Sequence, residues 1–255
     1  MARASTLAPR VSARAPACIL PPAPTGLDAM NDAAIPELIC ELCRLFYSLG
    51  WVSGTGGGIS IRGREGIYIA PSGVQKERMR ADDIYLLADD LAGEVRVLRP
   101  PADPSLKISE CRPLFWGAYR LRGAGAVIHS HSIWAVLAAR LFCPQGQPGE
   151  IVCEGLEMQK GLRGVGCFDV LRVPVIANTP RESQLTASLE AAMLAYPGVD
   201  AVVVAGHGVY VWGADWVQAK TQAECYDYLF RALVEAHRMG LPIGAGGPRP
   251  AEATR

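Results

Sequence analysis

The chain has 255 residues, half of them apolar and a fifth charged, with acidic and basic side chains in equal number and a formal net charge of zero. This is the composition of one globular domain with a full core. It offers no basic stripe for nucleic acid and no lysine-rich amphipathic run for a membrane surface, and no apolar run approaches the ~20 residues that span a bilayer.

In chain order, residues 1–30 stand apart. Arg3, Arg10 and Arg14 occur among Ala, Pro and Ser, with no acid before Asp28. That composition fits a transit peptide, a disordered tail, or a start assigned too early with Met30 as the first residue. The domain is expected over residues 31–243, followed by a loose Gly/Pro-rich tail over 244–255. Ile35, Leu38, Ile39, Leu42, Leu45, Phe46 and Leu49 recur at helical spacing. Pro36 suits the first turn and Gly50 the end, so the spacing predicts a helix over 35–49. Cys40 and Cys43 form a C-x-x-C inside this helix. With no second such pair among the 8 cysteines, they read as buried core thiols. The whole cysteine set fits a reduced, cytoplasmic protein.

A glycine-rich loop, 53–60, then enters a hairpin of strands 59–62 and 67–70. A second hairpin is expected over 84–88 and 94–98, turning at Asp89-Asp90. A Pro-rich loop over 99–105 precedes a helix (110–121), a strand (124–130) and a helix (133–141). Next come a strand (171–177), a helix (184–194), a strand pair (201–204 and 208–212) and a long closing helix (215–239). Hairpins interleaved with helices predict an α/β chain: a three-layer α/β/α sandwich with a mixed, largely antiparallel central sheet.

The glycine loop is not a nucleotide motif. It follows a helix and enters a strand, the reverse of the dinucleotide and P-loop order, and it lacks their spacing. It is either a tight turn or a nest of backbone N–H groups around Thr55, Gly56 and Gly57 that cradles a phosphate. Ser72 and Gly73 add donors to such a site, and Lys107 adds charge.

The densest signal is histidine. Of 4 histidines, three stand at the ends of β-branched runs, in Val127-Ile128-His129-Ser130-His131 and in Ala205-Gly206-His207-Gly208. Residues two apart on a strand share a face, so His129 and His131 aim at one point, and His207 arrives from a separate strand. Either these rings cap strands and turns, or three imidazoles with a fourth position open hold a catalytic zinc. His237, on the closing helix, reads as a solvated or capping residue.

Several longer stretches carry a resemblance. They are Gly50-Trp-Val-Ser-Gly-Thr-Gly-Gly-Gly-Ile-Ser60, Ile67-Tyr-Ile-Ala-Pro-Ser-Gly-Val-Gln-Lys-Glu-Arg78, Arg122-Gly-Ala-Gly-Ala-Val-Ile-His-Ser-His-Ser132, Glu157-Met-Gln-Lys-Gly161, Asn178-Thr-Pro180 and His207-Gly-Val-Tyr-Val-Trp-Gly213. In this order the chain resembles the class II aldolase/adducin superfamily, and within it a dehydratase branch. The sugar-phosphate aldolases carry a glutamate where this chain has Cys111 and an asparagine where it has Gly58; both departures match the dehydratases. One feature departs from them: an arginine is expected just before the third histidine, and Ala205-Gly206 stand there. The resemblance implies one Zn2+ on His129, His131 and His207, Glu157 as the acid/base, Cys111 in the pocket wall and a 2-keto sugar phosphate as substrate. It also implies a homotetramer with active sites between subunits. The competing readings are an aldolase or epimerase of the same fold, and an adducin-like binding module without chemistry.

Overall fold

The computed structural model describes residues 31–91 and 94–243; the two expected tails lie outside them. In chain order the elements are α1 (Ile35–Ser48), β1 (Gly58–Arg62), β2 (Ile67–Ile69), β3 (Tyr85–Leu87), β4 (Val97–Arg99), α2 (Arg112–Arg122) and β5 (Ala126–Ser130). They continue with α3 (Ile133–Phe142), β6 (Gly149–Cys153), β7 (Leu171–Ile176), α4 (Thr186–Ala195), β8 (Ala201–Val204), β9 (Gly208–Gly213) and α5 (Trp216–Arg238). The strands form a 9-stranded sheet in the order β4-β3-β2-β1-β5-β9-β8-β7-β6. Every neighbouring pair is antiparallel except β7 with β8. No helix among the described residues is long and apolar enough to cross a membrane.

Strand alternation divides the apolar side chains into two cores, one on each face of the sheet. Ile59, Ile61, Ala126, Ile128, Val203, Val209 and Val211 pack with the apolar faces of α1, α3 and α5. Val127, Val202, Val204, Tyr210 and Trp212 pack with α2 and α4 on the other face. The three-layer α/β/α sandwich expected from the sequence is therefore the fold observed. Cys40 and Cys43 lie wholly inside the first core. Burial pushes the Cys40 thiol up to about 11 and the Cys43 thiol up to about 12, which suits inert core groups.

Two strands differ from expectation. β6 was not foreseen: Gly149–Cys153 is a short edge strand after a Gly/Pro-rich loop, with too few residues to show a period. β4 was expected over 94–98 and is Val97–Arg99. It is exposed at every position, and its pairing with β3 shifts register between Leu86 and Leu87, so no alternation marks it.

Candidate metal centre

The register brings several chain segments to one end of the sheet. Gly58 at the start of β1 pairs with His129, Ser130 at the end of β5 pairs with Val209, and Gly208 at the start of β9 pairs with Val204 at the end of β8. β7 ends beside β8, with Ile176 opposite Val204. The loops 53–57, 131–132, 177–182 and 205–207 therefore meet here.

His129 is fully buried and shares the α2/α4 face with Val127. Just past the strand, His131 is fixed by its backbone N–H, which donates to the Trp51 carbonyl at 2.7 Å. His207 sits in the β8–β9 turn, its N–H donating to the Val204 carbonyl at 3.0 Å. The three Nε2 atoms converge: 3.0 Å from His129 to His131, and 3.2 Å from His207 to each of the others. A tetrahedral zinc with Zn–N bonds of about 2.0–2.1 Å spaces its nitrogens at about 3.3 Å, so one ion fits the triangle.

The opposite nitrogens of two of the rings fix tautomers that suit a metal-binding role. Nδ1 of His129 faces the Val209 carbonyl at 3.2 Å, and Nδ1 of His207 faces Oδ1 of Asn178 at 3.3 Å. Each Nδ1 must donate there, which leaves Nε2 as a lone pair. Lone pairs pointing at one another repel unless a cation stands among them. Burial, then the neighbouring His131 and His207, pulls the His129 ring far below its ordinary range. Burial, then His207, holds His131 down to about 4. Both rings are thus neutral at pH 7, as metal ligands must be. The Tyr210 ring stacks on His129 at 4.0 Å with the planes 4° apart, fixing its tilt.

A fourth ligand-type side chain joins them. Oε1 of Glu182 lies 3.5 Å from Nε2 of His207 and 3.8 Å from Nε2 of His129. The four ligand atoms all lie within 4.8 Å of one another. Burial acts to raise the Glu182 carboxyl, but His207, His129 and Cys111 outweigh it and hold it down at about 2. Its Oε2 is buried with no hydrogen-bond partner. The sequence reading missed Glu182. It sits in a polar loop with no period, and only the parallel pairing of β7 with β8 carries that loop to His207.

The other expected residues fall into three places. Cys111, buried at the start of α2, faces Glu182 and Tyr210. Burial, with Glu182 adding, drives its thiol far above its ordinary value, so it stands neutral in the wall. The glycine loop touches the cradle directly. A Cβ at Gly56 would stand 2.4 Å from the His131 ring, and one at Gly57, at φ 67, would meet the His129 carbonyl at 2.8 Å. Thr55 is exposed beside them. Ser72 and Lys107 are joined by a backbone hydrogen bond of 2.8 Å, with the Lys107 side chain exposed and Gly73 next to Ser72. A residue outside the expected set, Lys76, is 2% exposed and donates from Nζ to the Thr55 carbonyl at 3.1 Å.

Glu157 is not brought to the histidines within one chain. β6 runs antiparallel to β7, so Gly149 lies level with Val175 near the histidine end and Cys153 level with Leu171 at the other. Glu157 follows Cys153; it is exposed and paired with Lys160 at 2.8 Å. Its segment is tied to that far end by Arg163, which bonds Asp200 at 2.7 Å just before β8. His207 follows the opposite end of β8, so the 4 residues of that strand, roughly 13 Å at about 3.3 Å each, lie between them. The missing arginine near His207 also has a neighbour: Arg140 of α3 lines a shallow cavity of about 250 Å³ with Ala205 and Gly206.

Converging imidazoles at the end of a layered mixed sheet, placed where one ion would fit, define a domain of the class II aldolase type. A family model for the Class II Aldolase and Adducin N-terminal domain matches residues 37–234. The methylthioribulose-1-phosphate dehydratase of Aquarana catesbeiana is 51% identical over 233 residues, 88% of this chain and 93% of that protein. The dehydratase of the same name from Gallus gallus is 48% identical over 238 residues, covering 87% and 94%. Among solved structures, an L-fuculose 1-phosphate aldolase superposes with a TM-score of 0.65 at 21% identity, covering 86% of this chain and 93% of the other. Another, from Thermus thermophilus, gives 0.58 at 24% identity, covering 82% and 97%. The chain belongs to the class II aldolase/adducin family, in its methylthioribulose-1-phosphate dehydratase branch.

Proposed function

We propose that the chain is a zinc-dependent hydro-lyase that dehydrates 5-methylthioribulose 1-phosphate to 5-methylthio-2,3-dioxopentyl phosphate, a step of methionine salvage. The observation that carries this reading is 51% identity across 93% of a dehydratase of that name. The reaction removes the C3 proton and the C4 hydroxyl as water, and the resulting enol ketonises to the diketone. An ion on His129, His131 and His207 would supply Lewis-acid stabilisation of the negative charge that develops as the C3 proton leaves.

The chain's own groups do the rest. Glu157 takes the C3 proton and delivers a proton to the departing hydroxyl. Within one chain it lies at the wrong end of the sheet, so the reading places Glu157 of the partner subunit at these histidines. A homotetramer with shared sites supplies such a neighbour, and exposed apolar side chains on α3 support one: Ile133 is 56% and Leu137 38% exposed, one turn apart. Cys111, neutral and buried, shapes the wall beside Glu182. Thr55, Gly56, Gly57, Ser72, Gly73 and Lys107 hold the phosphate. Seven free cysteines among the described residues support a reducing, cytoplasmic setting.

A coupled assay for diketone formation from methylthioribulose 1-phosphate, with metal analysis of the same sample, tests the reading. Turnover with about one zinc per chain is expected. Carbon–carbon cleavage of fuculose or ribulose phosphates without dehydration would make the chain an aldolase. Absence of both metal and turnover would make it a binding module.

A further inference from the structure

Lys76 has an environment that a structural lysine does not need. Its side chain is 2% exposed. Nζ donates to two carbonyls, Thr55 at 3.1 Å and Val74 at 3.3 Å, leaving one N–H unused. Among the described residues it forms no ion pair. A buried ammonium whose only partners are neutral carbonyls is poorly compensated for its lost hydration.

Its position shows what it awaits. The Lys76 Cε lies 3.8 Å from where a Cβ on Gly58 would stand, so the stem crosses β1 in the space that glycine leaves. Gly58 pairs with His129. By strand alternation Gly58 shares the face of Ser60, whose hydroxyl meets Tyr119 of α2. This is also the face of His129 and Tyr210. The ammonium therefore lies in the enclosure walled by the glycine loop and the histidines, and its charge is felt at His131, Cys111 and Glu182.

We infer that Lys76 is the cation that receives an anionic oxygen of the substrate between the glycine loop and the histidine cradle. The inference rests on the sugar-phosphate reading above. The oxygen belongs either to the phosphate ester or to the carbon atoms that gain negative charge beside the histidines. In both cases the substrate brings the direct anionic partner that Lys76 lacks, since the carboxylates of Glu182 and Glu77 act on it without pairing with it.

Two variants of the full, metal-loaded protein separate charge from mere loop support. Lys76→Gln retains a donor for the Thr55 carbonyl but no charge, and Lys76→Met removes both. Inorganic phosphate, titrated calorimetrically, is the first probe, and it does not depend on the identity of the substrate. Metal content is measured on each sample, and kcat and KM on methylthioribulose 1-phosphate follow. If Lys76 meets the phosphate, both variants bind inorganic phosphate at least tenfold more weakly and KM rises more than kcat falls, with metal content unchanged. If it meets the oxygens beside the histidines, phosphate affinity holds and kcat falls tenfold or more. The inference is overturned if Lys76→Gln keeps wild-type phosphate affinity, kcat and KM. It is equally overturned if Lys76→Gln restores what Lys76→Met loses, because the lysine is then only a loop support. Should wild type bind phosphate but not turn over this substrate, the proposed substrate fails while the phosphate arm still decides for Lys76.

Discussion

Glu182 and His207 stand on opposite sides of a β-strand crossover, yet Oε1 of one lies 3.5 Å from Nε2 of the other. His207 follows β8 and Glu182 lies in the loop after β7, and these two form the one parallel pair of the sheet. Parallel strands end together, so both loops emerge at the same place. The carboxylate thereby enters the cradle from a segment with no motif of its own.

This placement predicts a measurable effect of Glu182 on metal binding by the cradle. Glu182→Gln keeps the volume and removes the negative charge beside two ligand rings. Zinc affinity, read by competition with a chromophoric chelator, is expected to fall about 10–100-fold, the usual effect of removing a close partner of a metal site. Co2+-loaded protein should also change its visible spectrum. Unaltered affinity together with an unaltered spectrum would take Glu182 out of the metal's surroundings.

The glycine loop packs against the histidine cradle. A Cβ at Gly56 would stand 2.4 Å from Cε1 and Nδ1 of His131, whose backbone N–H is pinned to the Trp51 carbonyl. Gly56→Val should therefore lose zinc by about tenfold or more, because a displaced ligand ring no longer points at the other two. Zinc content at the wild-type level with only a raised KM would mean that the loop meets substrate alone.

How much of this was legible follows from how local each signal is. His129 and His131 could be paired from sequence because alternation along a strand needs no knowledge of the rest of the fold. The two cores could be anticipated for the same reason: α1 and α5 carry their apolar periods within themselves. Glu182 and Lys76 could not. A carboxylate in a Pro-Arg-Glu-Ser loop and a lysine in a Gln-Lys-Glu turn both read as solvated, and only tertiary pairing half-buries the first and buries the second. Glu157 was legible only by resemblance. The strand directions explain why: its segment leaves the sheet at the end away from the histidines.

The neutral rings predict a pH dependence of the metal-free protein. His131 titrates at about 4 in the folded chain, held there by burial and then by His207, against an ordinary value of 6.5. Below pH 6.5 the unfolded chain takes up a proton that the folded one refuses. The stability from the neutral ring is thus complete above pH 6.5 and is lost as pH falls toward 4. Glu182, held near 2, keeps its contribution until pH drops below the ordinary carboxylate range, so it does not mask this window. Urea unfolding of the metal-free protein should give a lower midpoint at pH 5 than at pH 7, and the difference should shrink in His131→Asn. An equal difference in that variant would assign the effect to other groups.

The acid/base assignment carries a prediction about assembly as well as rate. Glu157→Gln preserves shape but cannot transfer protons, so kcat should fall about 10²–10⁴-fold while zinc is retained. His129→Ala should lose zinc and activity together, since one of three ligands is gone. If Glu157 serves the histidines of a neighbouring subunit, the two defects lie in different halves of a shared site. Co-expressed Glu157→Gln and His129→Ala chains would then form mixed assemblies in which some sites join intact histidines from one chain to Glu157 of the partner subunit. Activity should return in the mixture to a substantial fraction of wild type, well above the residual activity of either variant alone. If carboxylate and histidines worked within one chain, every site in the mixture would lack one or the other and no activity would return. Near-wild-type kcat in Glu157→Gln would remove the residue from the chemistry altogether and leave Glu182, already inside the cradle, as the carboxylate positioned to move the proton.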